Sequence, residues 1–313
     1  MARIVWSCII LLTAFHSGAW GQERAGTARS ADPPRLDKNA LESYARYLYM
    51  WGPRIRIRVY DPEPSALPAL YKVRVVGATD YTQEEHVFYV APDGRRAFQG
   101  PVYDLAGDPF EAERTVLAAG RYPSYGPVNA PVHVVVFFDF QCEACGEHSR
   151  ALRGELRHDY PNEVRVTARE LPLVELHDWA KTASIAGRCV YQEREDAYWL
   201  FYDWIFGRQS TTSAGNIQSA LHEFWTLNGL NRERMESCMQ SPAAARAVDD
   251  SVAAAHALSV NGTPSTFVNG RRLRDGASWR ELKRAIDFAL QRSKAGPNAD
   301  CNCTVEGRAA EPK

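Results

Sequence analysis

The sequence predicts an α/β fold with a helical insertion, preceded by a small α+β N-terminal domain. Three observations predict it. Residues 132–140 (VHVVVFFDF) form a near-continuous β-branched and aromatic run, the pattern of a central strand covered on both faces. Residues 178–258 are a long block of helical pattern, set between a second strand, EVRVTARE (163–170), and a late hairpin, GTPSTFVNGRRL (262–273). Near the start, RIRIRVY (54–60) alternates strictly, which marks a half-buried strand belonging to a separate unit.

The chain has 313 residues, 45% hydrophobic and 24% charged, the balance of a globular protein. Its net charge of −1 gives no long-range attraction for nucleic acid or an anionic membrane. Residues 1–21 read as a secretory signal peptide: Arg3, an apolar run from Ile4 to Phe15, and small residues Ala19 and Gly21 before a cut at Gln22. An uncleaved N-terminal anchor is the alternative. Cleavage would remove Arg3 and Cys8, taking the charge from −1 to −2 and leaving six cysteines in an exported, periplasmic or otherwise extracytoplasmic protein.

Residues 22–37 are small and polar, with Pro33-Pro34, and read as a linker. The N-terminal module spans 38–107. It begins with a helix that places Leu41, Tyr44, Ala45 and Leu48 at helical spacing. RIRIRVY then puts Ile55, Ile57 and Val59 on one face and Arg54, Arg56 and Arg58 on the other; YKVRVV (71–76) and HVFYV (86–90) follow as strands. The basic stripe reads as a solvated sheet face. Residues 108–130 are a connecting helix ended by Gly120, then a Pro/Gly-rich loop. The catalytic domain spans 131–295. A helix is expected from Cys142 through Leu156, a tight turn at Asn269-Gly270, and a closing helix over ASWRELKRAIDFALQRSK. Trp199, Tyr202, Trp204 and Phe206 have the spacing of helical core. Residues 296–313 form a tail without a core pattern.

The chemistry centres on FFDFQCEAC. Cys142 and Cys145 end the central strand and open a helix. Unpaired amide N–H groups and the helix dipole favour an anion at that point, which lowers the pKa of the first thiol. The second cysteine lies one turn on and can close a disulfide with it. A zinc site usually needs a second such pair or two histidines. The residues themselves leave a redox pair, a structural disulfide and a metal clamp open. The exported context and the strand-to-helix placement favour redox chemistry, with Cys142 attacking and Cys145 resolving.

The stretch YGPVNAPVHVVVFFDFQCEACGEHS resembles the active-site region of DsbA-type thiol:disulfide oxidoreductases of the thioredoxin-like superfamily. So do LPLVELHDWAKTASIAGRCV, DAYWLFYDWIF, MESCMQS and SVNGTPSTFVNGR, which together run from about residue 125 to 292. The resemblance implies a thioredoxin-like fold and no organic cofactor; a disulfide isomerase or reductase kept reduced by a partner, and a metal-binding protein using the same cysteines, are the alternatives, and no metal-ligating residue is assigned. It implies a cis-proline at Thr263-Pro264, with the Thr263 backbone pairing to an extended peptide. It also implies a structural disulfide between Cys189 and Cys238. The partners it implies are folding exported proteins with cysteines and a membrane redox protein. FYVAPDGRRAFQGPVYDL is similar to the end of the dimerisation domain of DsbC-type isomerases, which by analogy implies a homodimer through the N-terminal module.

Two positions depart from the family pattern. Where a buried acid is common, six residues before the first cysteine, this chain has Val136. Asp139 lies nearer the strand end, where it could cap the helix or bind water, and with Glu143 it is read as a residue that tunes the pair. Glu143 stands between the cysteines, a like charge beside the thiolate. The expectation is that Glu143 gives Cys142 a more ordinary pKa and makes the pair a milder oxidant than DsbA. His148 and His177 read as structural, the latter as a helix-start residue. Cys301 and Cys303, in the tail, read as cysteines that oxidise together.

Overall fold

The computed structural model describes residues 35–80, 83–104, 107–274 and 277–295. The expectations for the signal peptide, most of the 22–37 linker, Cys8, Cys301, Cys303 and the tail lie outside these residues.

The N-terminal unit begins with α1 (Lys38–Leu48), whose first amides are capped by the Asp37 carboxylate, accepting from the N–H groups of Asn39 and Ala40. Strands β1 (Arg56–Val59), β2 (Glu63–Pro64), β3 (Tyr71–Ala78), β4 (Gln83–Val90) and β5 (Ala97–Phe98) follow. They form an antiparallel sheet in the order β1-β3-β4-β5, with β2 on the edge of β3. Alternation along β3 buries Val73 and Val75, which meet Phe88, Val90, Trp51 and Ala45 of α1 in a core of their own. Gly77 is required there: an added Cβ would stand 2.8 Å from the Trp51 ring. On the opposite face the expected basic stripe is exposed at Arg56, which pairs with Asp80 at 2.8 Å.

Helix α2 (Glu111–Ala118) leads to the second unit and ends before Gly120, whose φ of +87° favours glycine. Next come β6 (Ser124–Tyr125), β7 (Val132–Phe138), α3 (Glu143–Ala151), a π-helical turn (Leu152–Leu156), α4 (Arg157–Asp159) and β8 (Val164–Glu170). Helices α5 (Ala180–Glu193), α6 (Ala197–Gly207), α7 (Ile217–Leu227), α8 (Arg232–Gln240) and α9 (Pro242–Ala257) form the insertion. The chain closes with β9 (Ser265–Val268), β10 (Arg271–Arg272) and α10 (Trp279–Ala295). The sheet runs β10-β9-β7-β8-β6; β7 and β8 are parallel and β9 is antiparallel to β7. Strand β7 is central, and all of it except His133 is buried, as its apolar run requires.

The insertion packs on the end of β7 through aromatic rings. Phe140 meets Phe201 at 5.5 Å and Phe206 at 5.2 Å, and Phe138 meets Tyr202 at 5.2 Å. Helix α9 starts where Ser241 caps Ala243 N–H and Pro242 takes the first position. The β9–β10 turn places Asn269 and Gly270 at φ +48° and +87°, the left-handed pair a two-residue hairpin needs.

Behind the sheet lies a buried charge cluster. Arg188 on α5 pairs with Glu170 at the end of β8 at 2.7 Å, both side chains being almost fully buried. Tyr122 sits between the guanidinium groups of Arg169 and Arg188, 3.9 and 4.2 Å from its ring. Arg169 also donates to the carbonyls of Val116 and Leu117, which closes the C-terminal end of α2 against this domain.

Candidate active site

Cys142 is the N-cap of α3, extended at φ −71° and ψ 119°, and its carbonyl accepts the helix's first bonds from the N–H groups of Cys145 and Gly146. Its sulfur is half-buried and stands 3.6 Å from the carbonyl oxygen of Thr263. Thr263-Pro264 is a cis peptide at the entry to β9, so the antiparallel β7–β9 pairing carries this loop to the end of β7 where the cysteines lie. Cys145 is buried, with the Asp139 backbone N–H 3.5 Å from its sulfur.

The two thiols are pushed apart. Cys142 is pulled down from 9.0 to about 6, first by its hydrogen bond with Cys145 and then by Thr263, against the opposing effect of burial. Cys145 is raised well above the ordinary range, mainly by burial and then by Cys142 itself. One sulfur is thus an accessible thiolate near neutral pH and the other a buried thiol.

The leading causes of the Cys142 shift do not include Glu143. Glu143 is exposed on the first turn of α3, where it favours the helix and water surrounds it. The carboxylate that opposes the Cys142 thiolate is Asp139, at the end of the strand. Asp139 does not cap α3 as expected. It is fully buried and accepts three hydrogen bonds: from Gln141 N–H at 2.7 Å, from Leu173 N–H at 2.7 Å and from His177 at 2.8 Å. Val136 is buried core.

His177 does not start a helix. It lies in the loop after β8, three residues before α5, and its Nδ1 meets the Asp139 carboxylate. His148 is bonded to the Thr266 hydroxyl at 2.9 Å, which ties α3 to β9. Burial lowers its pKa to about 4, so it stays neutral at physiological pH. Cys189 and Cys238 are joined in a disulfide that links α5 to α8.

Two glutamines were not singled out in the sequence. Gln209, in the turn after α6, donates to the carbonyls of Phe140 and Cys142, each at 2.8 Å. It also presses on Gly146, where an added Cβ would lie 2.5 Å from its Oε1. Gln141 bridges to Asp178 and accepts from Trp179 N–H. An isolated Gln carries no spacing signal; only the glycine one turn into the helix hints at a close neighbour.

A family model described as Thioredoxin matches residues 119–288. The chain belongs to that family. Over 194 residues it is 26% identical to the probable disulfide bond formation protein D of Bacillus anthracis, covering 61% of this chain and 88% of that one. Over 175 residues it is 30% identical to the Na(+)/H(+) antiporter NhaA 1 of Salinispora arenicola, covering 56% of this chain and 26% of that protein. The chain therefore spans about a quarter of the length of the antiporter relatives it matches. Among the described residues no helix is long and apolar enough to cross a membrane. Among solved structures, oxidised BdbD from Bacillus subtilis aligns with a TM-score of 0.51 at 20% identity, covering 55% of this chain and 94% of that one. The thiol-disulfide exchange protein alpha-DsbA2 from Wolbachia pipientis aligns with a TM-score of 0.50 at 17% identity, covering 57% and 92%. These two likenesses carry the fold.

Proposed function

We propose that this chain is an exported thiol:disulfide oxidoreductase that exchanges disulfides with protein substrates through Cys142 and Cys145. The observation that carries the reading is the pair itself: an accessible thiol lowered to about 6, against a buried partner raised well above its ordinary range, beside the Thr263-Pro264 loop. The disulfide-formation names of several relatives support the same class.

In the oxidising direction a substrate thiolate attacks Cys142 of the Cys142–Cys145 disulfide. A mixed disulfide forms and Cys145 leaves as a thiolate that takes up a proton. A second substrate thiolate then attacks the substrate sulfur of the mixed disulfide and releases Cys142 as a thiolate. The substrate loses two electrons and the pair gains two. In the reducing direction the Cys142 thiolate attacks a substrate disulfide and Cys145 resolves the adduct. A low pKa makes Cys142 the better leaving group and favours the reduced pair. The Thr263 backbone would bind the substrate as an added strand. Proteins with unpaired cysteines, a membrane redox protein that resets the pair, and a second copy bound through residues 38–107 complete the proposed partners.

Dithiothreitol-driven insulin reduction tests the class. Wild-type protein should accelerate insulin precipitation, and Cys142→Ser should abolish the acceleration. A Cys142→Ser protein as active as wild type would refute the proposal.

A further inference from the structure

We propose that His177 is a positioning residue that sets the acidity of Cys142 by compensating the buried Asp139 charge. The inference rests on the thiol-exchange reading above and deepens it. Asp139 is fully buried at the end of β7 and is the carboxylate that opposes the Cys142 thiolate. It accepts two backbone N–H groups and one side chain, His177. A carboxylate can only accept, so His177 Nδ1 carries the hydrogen in this pair whether the ring is neutral or cationic. A charged ring in this contact offsets the Asp139 carboxylate and so favours the thiolate. With an uncharged donor in its place, the anion beneath Cys142 stands uncompensated and the thiol becomes less acidic.

The other charges around the pair are accounted for. On α3, Glu143 is exposed. In the loop after β8, Glu175 accepts from the Thr79 hydroxyl at 3.1 Å and Asp178 accepts from Gln141. On α5, Lys181 pairs with Asp249 of α9, and His256 closes α9 with its pKa lowered by burial. The 261–264 segment, Asn-Gly-Thr-Pro, carries no ionisable side chain. His177 is thus the basic side chain whose contact with Asp139 is direct. Its side chain is 22% exposed.

The test separates charge from packing. The Cys142 thiolate is titrated by its absorbance near 240 nm in the reduced full chain carrying His177→Gln or His177→Arg. Gln keeps a donor and loses the charge; Arg keeps the charge. His177→Gln should raise the Cys142 midpoint by about half a unit, a roughly threefold smaller thiolate fraction below it, and His177→Arg should hold it at or below the wild-type value. An unchanged midpoint with Gln, or shifts of the same sign and size in both variants, would overturn the proposal. Titration is independent of turnover. An active enzyme with an unmoved midpoint removes only the role of His177, and a moved midpoint in a protein inert toward insulin removes only the proposed activity.

Discussion

Ionisation of Cys142 should be visible in the stability of the reduced protein. The perturbation is Cys142→Ser, which keeps the shape of the N-cap and removes the titrating sulfur. Folded Cys142 lies at about 6 and the unfolded thiol at 9.0. Its pKa is depressed on folding, so the stabilisation is complete only above pH ~9 and is lost as pH falls through about 6. At pH 7 the linkage relation gives about 1.4 kcal/mol for these two values. Cys142 is half-exposed, and solvent screening brings the expectation to about 1 kcal/mol or less. Cys145 adds nothing in this window, because its raised pKa leaves it protonated in both states below pH 8. The assay is urea unfolding under reducing conditions at pH 5, 6, 7 and 8. Wild type should gain on Cys142→Ser as pH rises, by a few tenths of a kcal/mol at pH 6 and by about 1 at pH 7. Parallel stability profiles for the two proteins would refute the ionisation argument.

Three further outcomes follow from the packing. Gly146→Ala should displace the Gln209 amide from the Phe140 and Cys142 carbonyls and cost about 1–2 kcal/mol; if the cost is unchanged in a Gln209→Ala background, the contact is not its cause. Arg188→Met should cost about 3–5 kcal/mol in urea unfolding, because it leaves Glu170 buried without its cation, and a loss below ~1 kcal/mol would contradict that pairing. Replacing Cys189 and Cys238 together by serine removes a link across 49 residues and should cost roughly 2–4 kcal/mol under oxidising conditions. An unchanged unfolding midpoint would show that the link does not stabilise the insertion.

The scaffold was legible because its signals are local. The apolar run of β7 and the Asn269-Gly270 turn each declare themselves within a few residues. The cysteine pair is local too, since a strand end followed by C-x-x-C places one sulfur at a helix N-terminus. The electrostatics were legible only in part: Asp139 was read as a tuning residue, but not its partner or its burial. Glu143 is adjacent to Cys142 in sequence, and sequence reasoning gave it a tuning role, but water screens it. Asp139 acts from the buried side, and its partner His177 comes from 38 residues away. Gln209 reaches the Cys142 carbonyl from 67 residues away. Such contacts depend on how the loop after β8 and the insertion fold back over the strand end, which no spacing rule encodes. Pairing of Cys189 with Cys238 is of the same kind: six cysteines allow fifteen pairings, and only the resemblance selected this one.

The central claim is that Cys142 forms the covalent link to substrate and Cys145 breaks it. Trapping tests it most directly. Cys145→Ser protein is incubated with a peptide disulfide and the adduct is mapped by mass spectrometry. The account predicts a persistent mixed disulfide at Cys142, absent from Cys142→Ser and short-lived in wild type. No adduct, or an adduct at any other cysteine, would contradict it.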